Sequence, residues 1–247
     1  MLPMQSVLRS FRILEAVAEH QPVGVGELSR LLELPKSTVQ RSLMTLDQAG
    51  WLRQTDSRWE VTSRPLVVGL HATEGSLRNV AIGPMQWLRN STNETVHLAV
   101  PDGRSLILIE RLDSTHPVRT FLPLGATTPL QATSTGRSIL ANLPLSEVED
   151  ILTSGLIAYS AETLVDVDEF RSELIRIRKQ GYSVNLRQYR PGVAAVGAAV
   201  LDTRGRPVAG ICISMPDSRF RRHKVPQWGE LVSKAAAEIG SQMLPHW

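Results

Sequence analysis

Residues 34–49 read LPKSTVQRSLMTLDQA, and their spacing predicts a short helix that turns one polar face outward. At 100° per residue, Val39, Leu43 and Leu46 fall within a narrow arc. Ser37, Arg41, Thr45 and Gln48 lie on the opposite side, flanked by Thr38 and Met44. Arg41 sits near the centre of that outward face. Pro35 suits a first helical position, where its missing N–H costs nothing, and Gly50 suits the C-terminal stop.

The flanking sequence completes a motif around this helix. Upstream, residues 6–19 form a helix with Val7, Phe11, Leu14 and Ala18 on one stripe, ending before His20-Gln21-Pro22. A shorter helix over about 26–32 contributes Leu28, Leu31 and Leu32, and Glu33-Leu34-Pro35 is the tight connection that follows. Two short helices, the second exposing Ser, Thr, Gln and Arg near its start, have the geometry that enters a DNA major groove. There hydroxyls and amides reach phosphates or base edges, and arginine can fork onto guanine. Downstream, WLRQTDSRWEVT (51–62) alternates around Thr55-Asp56-Ser57 as a hairpin with Arg53 and Arg58 near its tip. Residues 1–62 therefore read as a winged helix-turn-helix, whose wing arginines would meet the DNA backbone or minor groove. Three small helices with an apolar stripe also suit a protein-interaction module.

The bulk numbers agree with a two-domain soluble protein. A chain of 247 residues with 42% hydrophobic and 21% charged side chains can bury a substantial core. Cys212 is the single cysteine, which excludes an intramolecular disulfide, and the start MLPMQSVLRSFRILEAV lacks an unbroken apolar stretch. VAAVGAAVL and residues 65–70 fall short of the roughly 18 apolar residues of a membrane span. A cytoplasmic location without membrane association is expected. The net charge of +3 permits a nucleic-acid partner without demanding one. Residues 1–75 carry eight basic and eight acidic side chains, but in 35–58 Lys36, Arg41, Arg53 and Arg58 meet only Asp47 and Asp56. Positive charge therefore gathers locally, on the segment that would face phosphate.

Residues 63–76 follow without a Pro/Ser-rich tether and read as a helical linker with Leu66, Val67 and Leu70. From residue 77 the pattern describes a second domain, 77–247. It opens with a helix over 77–93, kinked at Pro84. Strands follow at 95–100 and 105–112, around Pro101-Asp102-Gly103-Arg104, and at 118–122, 181–185, 193–202 and 208–214. Helices fall at 136–142, 145–154, 166–180 and 225–243. Hairpin-connected strands with helices between them make an α+β domain around one antiparallel sheet.

ELSRLLELPKSTVQRSLMTLDQAGWL (27–52) resembles the DNA-binding half of the IclR (isocitrate lyase regulator) family of transcriptional regulators. Its recognition helix opens Leu-Pro-Lys-Ser-Thr and continues to an Arg, matched here by Leu34, Pro35, Lys36, Ser37, Thr38 and Arg41. The candidate DNA contacts are Lys36, Ser37, Thr38, Gln40, Arg41 and Thr45 on the helix, with Arg53 and Arg58 on the wing. GATTPLQATSTGRSIL (125–140) and GYSVNLRQYRPGVAAVGAAVLDTRGRPVAGICISMP (181–216) are similar to that family's pocket-forming segments. The resemblance implies a GAF-like effector-binding domain. Carried over by motif, the effector site comprises Thr128, Ser134, Thr135, Asn185, Val193, Ala195, Cys212 and Ser214. It also implies homodimers, often paired into tetramers, on a palindromic double-stranded operator, with a small molecule controlling a metabolic operon, most often by repression.

Two departures from the family pattern stand out. At 185–190, NLRQYR replaces a commonly acid-rich stretch and introduces Arg187 and Arg190. If these lean over the pocket they favour an anionic effector such as an organic acid, because arginine clamps carboxylates bidentately. Gln131 stands where the family often has His.

Enzyme chemistry has no signature here. The sequence contains no His-Glu-x-x-His helix, paired cysteines, dinucleotide glycine motif or nucleophile elbow. QATSTGRS echoes a phosphate loop but has Gln131 for its first glycine and Arg137 for its lysine. No cofactor or metal is implied, and the six histidines are scattered. Cys212 reads as a small core hydrophobe or a pocket-wall residue rather than a redox sensor. RFRRHK (219–224) reads as a solvated loop or a phosphate contact. The competing function is a metabolite-binding protein or enzyme whose N-terminal helices serve assembly alone.

Overall fold

The structure, a computed structural model, describes residues 3–72 and 77–243. It divides into two compact units, Met1–Glu74 and Gly75–Trp247.

The first unit consists of α1 (Gln5–His20), α2 (Val25–Leu31) and α3 (Lys36–Gln48), the hairpin β1 (Leu52–Thr55) and β2 (Arg58–Val61), and α4 (Arg64–Ala72). Val39, Leu43 and Leu46 of α3 are buried against Ile13, Val17, Leu28, Leu52 and Trp59. Each such buried aliphatic side chain contributes about 1.5–3 kcal/mol. Pro35 is the residue before α3 rather than its first turn, and its carbonyl accepts from the Thr38 and Val39 amides at 2.9 and 3.1 Å. Gly50 ends the helix in the left-handed region at φ 78°, and the Trp51 amide closes onto the Leu46 carbonyl at 2.8 Å.

Helix α1 buries a different stripe from the expected one. Ile13, Ala16 and Val17 face the core, whereas Val7 and Phe11 are 44% and 55% exposed. The helix is apolar on two faces, and only contact with α3 decides between them. In the linker, α4 is helical and exposes Leu66, Val67 and Val68; residues 73–76 lie outside the described residues.

The second unit begins with α5 (Leu77–Thr92), which contains Pro84, and is built on a six-stranded antiparallel sheet ordered β5-β4-β3-β8-β7-β6. The strands are β3 (Thr95–Asp102), β4 (Ser105–Leu112), β5 (Thr127–Pro129), β6 (Ser183–Leu186), β7 (Val193–Leu201) and β8 (Pro207–Pro216). Between them run α6 (Ser134–Leu140), α7 (Leu145–Thr153) and α8 (Val167–Gln180), and α9 (Val225–Ser241) closes the unit. Strand alternation sends Val96, Leu98, Ile211, Ile213, Val196 and Val200 to one face, where α5 and α9 cover them. Part of the opposite face is covered by α6, α7 and α8 through Ile139, Leu140, Val148, Leu152, Phe170, Leu174 and Ile177. The fold is α+β, as expected.

Residues 118–122 do not form the expected strand. They lie in an irregular segment between Pro117 and Pro123, and the strand beside β4 is β5, five residues further on. Prolines at both ends deny the segment ladder donors. Arg111 holds it instead, with Nη1 donating to the Leu122 carbonyl and Cζ 4.2 Å from the Phe121 ring centroid. The strand expected from residue 181 starts at Ser183, because Gly181 caps α8 at φ 85°.

Candidate functional site

Two sites emerge, one in each unit. On α3, Lys36, Ser37, Arg41 and Thr45 are exposed, while Thr38 and Gln40 are half-buried. Among the described residues, Lys36 and Arg41 form no ion pair, so both ammonium and guanidinium are free for an external anion. The Thr45 hydroxyl donates to the Arg41 carbonyl at 2.8 Å and keeps its lone pairs for a donor. Thr38, Arg41 and Thr45 also form part of a groove of about 500 Å³ between α1 and α3. All six helix candidates therefore belong to one helix, four on its fully exposed surface.

The wing arginines behave differently. Arg53 faces Glu60 across the hairpin and donates to its carboxylate at 3.1 and 3.0 Å. Arg58 reaches back to α2, donating to the Pro22 carbonyl and to Glu27 Oε2, each at 2.9 Å. Glu27 also accepts from the Gly24 amide at 2.9 Å, and the amide and arginine bonds hold its carboxyl below the usual carboxylate range. The structure thus places both expected wing cations in internal ion pairs, and an incoming phosphate has to exchange with a carboxylate.

In the second unit, a cavity of about 140 Å³ opens on the sheet face that looks toward α6. Thr128, Ser134, Thr135, Asn185, Val193, Ala195, Cys212 and Ser214 all line it. Register explains why: Asn185 pairs with Ala195, which pairs with Ser214, so one row of the sheet carries all three on the same face. Cys212 lies two residues from Ser214 and is flanked by Gly197 and His97. Helix α6 comes close enough to present Ser134 and Thr135 because glycines leave room for it. A Cβ on Gly136 would sit 2.0 Å from the Leu130 carbonyl oxygen, and one on Gly210 would sit 2.4 Å from Thr135 Cγ2.

Sequence reading missed several wall residues, chiefly His97, Thr120, Phe121, Leu122 and Tyr189. His97 shares the inward alternation of β3 with Thr95 and Ala99, a signal available in sequence. Thr120 lies in the segment mistaken for a strand and had none. Arg190 lines the cavity and stacks on the Tyr189 ring at 5.0 Å. Arg187 does not reach it; at φ 62° it turns toward Asp217, 3.9 Å away. Gln131 is also outside the wall. Its side chain exchanges two hydrogen bonds with the Ile157 backbone, at 2.8 and 3.1 Å, fastening the loop after α7. That loop grips the one carrying Arg190: Thr163 donates to the Gln188 carbonyl and Ser160 to the Arg187 carbonyl, and Tyr159 meets Tyr189 edge-on at 5.7 Å.

The cavity is weakly charged. Among the described residues, Arg190 is the one ionised side chain on its wall. Burial, aided by the positive Arg111, pushes His97 down to about 4 against the opposing pull of Asp113, so its ring is neutral at physiological pH. Burial raises Cys212 against hydrogen bonds from Thr135 and Ser134, so it remains a thiol and a poor nucleophile. The Asn185 amide is committed to the Ala132 carbonyl and the Gln188 amide. His97 Nε2 and Thr120 Oγ1 are sealed from solvent without a hydrogen-bond partner.

Elsewhere, Arg219 of the basic run forks onto Glu94 at 2.9 and 2.6 Å, and Arg221 donates to local carbonyls. Among the described residues no group of His, Cys, Asp or Glu is arranged to hold a metal, and no helix is long and apolar enough to cross a membrane.

Comparison with known proteins covers both units. Residues 6–56 match the IclR helix-turn-helix domain and residues 71–241 the bacterial transcriptional regulator IclR C-terminal domain. The chain is 32% identical over 243 residues to the transcriptional repressor IclR of Escherichia coli, spanning 96% of this chain and 89% of the relative. The crystal structure of the Thermotoga maritima IclR superposes with a TM-score of 0.80 at 26% identity, over 97% of this chain and 99% of that one. An IclR homologue from Microbacterium hydrocarbonoxydans, complexed with 4-hydroxybenzoate, shares the fold with a TM-score of 0.82 at 22% identity, covering 96% and 98%.

Proposed function

The chain belongs to the IclR family of bacterial transcriptional regulators, and from that premise we propose how its two sites divide the work. It is a ligand-responsive DNA-binding regulator, not an enzyme. Helix α3 enters the major groove, where Arg41 reads a base edge while Lys36, Ser37, Thr38, Gln40 and Thr45 fix its register on phosphates and neighbouring bases. The carrying observation is the exposed, unpaired Arg41 at the centre of the polar face of α3. Arg53 and Arg58 join on the wing by exchanging their carboxylate partners for phosphates.

A lone winged helix with balanced charge binds weakly, so the regulator works as a homodimer or tetramer on a palindromic operator with half-sites about one helical turn apart. The effector is a small organic acid held in the cavity of the second unit. The volume is well below the roughly 300 Å³ at which drug-sized pockets begin, which limits the ligand to a small metabolite. Arg190 supplies the counter-charge. Ligand and operator are coupled by a free energy that acts equally in both directions. Relatives named as repressors favour repression of a metabolic operon, and the site of action is the cytoplasm, where the DNA is.

A gel shift against the gene's own upstream region tests this reading. Binding of the purified chain, weakened or strengthened by a small acid that also raises its melting temperature, supports it. No binding with or without such acids overturns it.

A further inference from the structure

Helix α8 turns Phe170, Leu174 and Ile177 into the core that it shares with α6 and α7. At 100° per residue, the opposite side of the helix carries Asp168, Ser172, Ile175 and Lys179 in one stripe, and all four are exposed. An acid opens the stripe and a base ends it, ~16 Å further along the axis. Ile175 is 71% exposed and Leu145 of α7 is 72% exposed, and the two share the rim of a groove of about 170 Å³ that Leu140, Val148 and Leu174 also line. Two open aliphatic side chains beside an apolar groove form a patch, unlike a single surface leucine, and a patch is what an interface covers.

The charge pattern selects a second copy of this chain as the cover. When two copies of one helix pack antiparallel about a two-fold axis, each contact occurs twice, with its partners exchanged. A register that sets Asp168 against Lys179 of the second copy also sets Ser172 against Ile175, because both pairs are centred between positions 173 and 174. The two Ile175 side chains then lie about 4.5 Å apart along the axis, over the grooves. Glu169 comes beside Arg176 of the second copy in the same register. Among the described residues, Lys179 and Glu169 form no ion pair within the chain, and Arg171, on the groove side, is already neutralised by Glu149 and Asp168. Parallel packing would instead set acid on acid at one end and base on base at the other.

We propose that the outer stripe of α8, with Leu145, is a self-complementary surface on which a second copy docks through its own α8, antiparallel. This rests on the self-association reading above and names the surface that carries it. Ile175 and Leu145 supply the affinity, while the charges fix the direction of docking, since exposed ion pairs add little affinity and mainly exclude wrong arrangements. One helix and one leucine make a small interface, so the association is reversible and depends on protein concentration.

Sedimentation velocity of the full chain, from low to high micromolar concentration, tests it. Ile175→Glu lowers the mass of the assembly or raises its dissociation constant about tenfold or more, with the melting temperature unchanged because the position is exposed. Asp168→Lys and Lys179→Asp each weaken the assembly severalfold, since one reversal in a two-fold contact creates two like-charge pairs. The double variant, Asp168→Lys with Lys179→Asp, re-forms both opposite-charge pairs and recovers the wild-type assembly. An oligomer that Ile175→Glu leaves unchanged, or a double reversal no better than the single ones, overturns this surface and leaves the self-association reading intact. A wild-type chain that stays monomeric at every concentration removes that reading and this inference together.

Discussion

The guanidinium of Arg58, on the wing, donates to the carboxylate of Glu27, on α2, at 2.9 Å, and so the wing is tied to the helix that precedes α3. A cation held this way attracts DNA phosphate less than a free one, because Glu27 neutralises it. Glu27→Gln keeps an acceptor for the Gly24 amide but releases the charge. Operator affinity in a gel shift should rise severalfold at low salt, with a steeper fall as salt increases. Arg58→Ala should weaken specific and unrelated DNA alike, since a phosphate contact carries no sequence information.

Arg41 is expected to behave in the opposite way. Arg41→Ala should cost about 1–3 kcal/mol of operator affinity and leave binding to unrelated DNA nearly unchanged. The side chain is exposed, so the melting temperature should stay where it was. Footprinting that shows the operator occupied at unchanged protein concentration would remove Arg41 from base reading.

His97 makes the second unit sensitive to acid. Its native pKa, about 4, lies below its ordinary value of 6.5. An unfolded chain therefore binds a proton here more readily than the native one between those values. The neutral ring favours the native state fully above pH 6.5, and that contribution falls as pH drops toward 4, by about 3 kcal/mol in total. Urea midpoints measured from pH 7 to pH 4.5 should fall less steeply in His97→Gln than in the wild type.

Gly136 sets the distance between α6 and the segment before it. Gly136→Ala places a methyl 2.0 Å from the Leu130 carbonyl oxygen, and the backbone has to move to admit it. A loss of several kcal/mol from the second unit is expected, seen as a lowered urea midpoint by circular dichroism. Leu43→Ala in α3 should instead cost about 2–5 kcal/mol from the first unit, through the cavity it leaves. Its DNA binding should fall with the lost structure.

The α3 face was legible because a helix repeats every 3.6 residues, so that Val39, Leu43 and Leu46 declare the buried side and Arg41 the exposed one. The Arg53–Glu60 pair is likewise implicit in the hairpin register. The Arg58–Glu27 pair was not legible, because Glu27 lies 31 residues away and no local pattern connects them. On α1 the pattern itself was ambiguous, since either of two apolar stripes could have met the core. Val118 and Thr120 favour a strand by side-chain shape, but Pro117, Pro123 and a clamp from Arg111 outweigh that preference.

Sequence alone determined the winged helix, the α+β plan of the second half and, through motif resemblance, eight side chains that share one cavity wall. Local periodicity and turn chemistry act over a few residues, and they are written directly into the chain. Tertiary structure decided the rest: which arginines are neutralised, that Arg190 reaches the cavity and Arg187 does not, and that His97 and Thr120, from a strand and an irregular segment, line the same cavity. Those outcomes depend on strand order and long-range contacts, where one added partner changes the charge or hydrogen bonding of a group without leaving a mark on its neighbours in sequence.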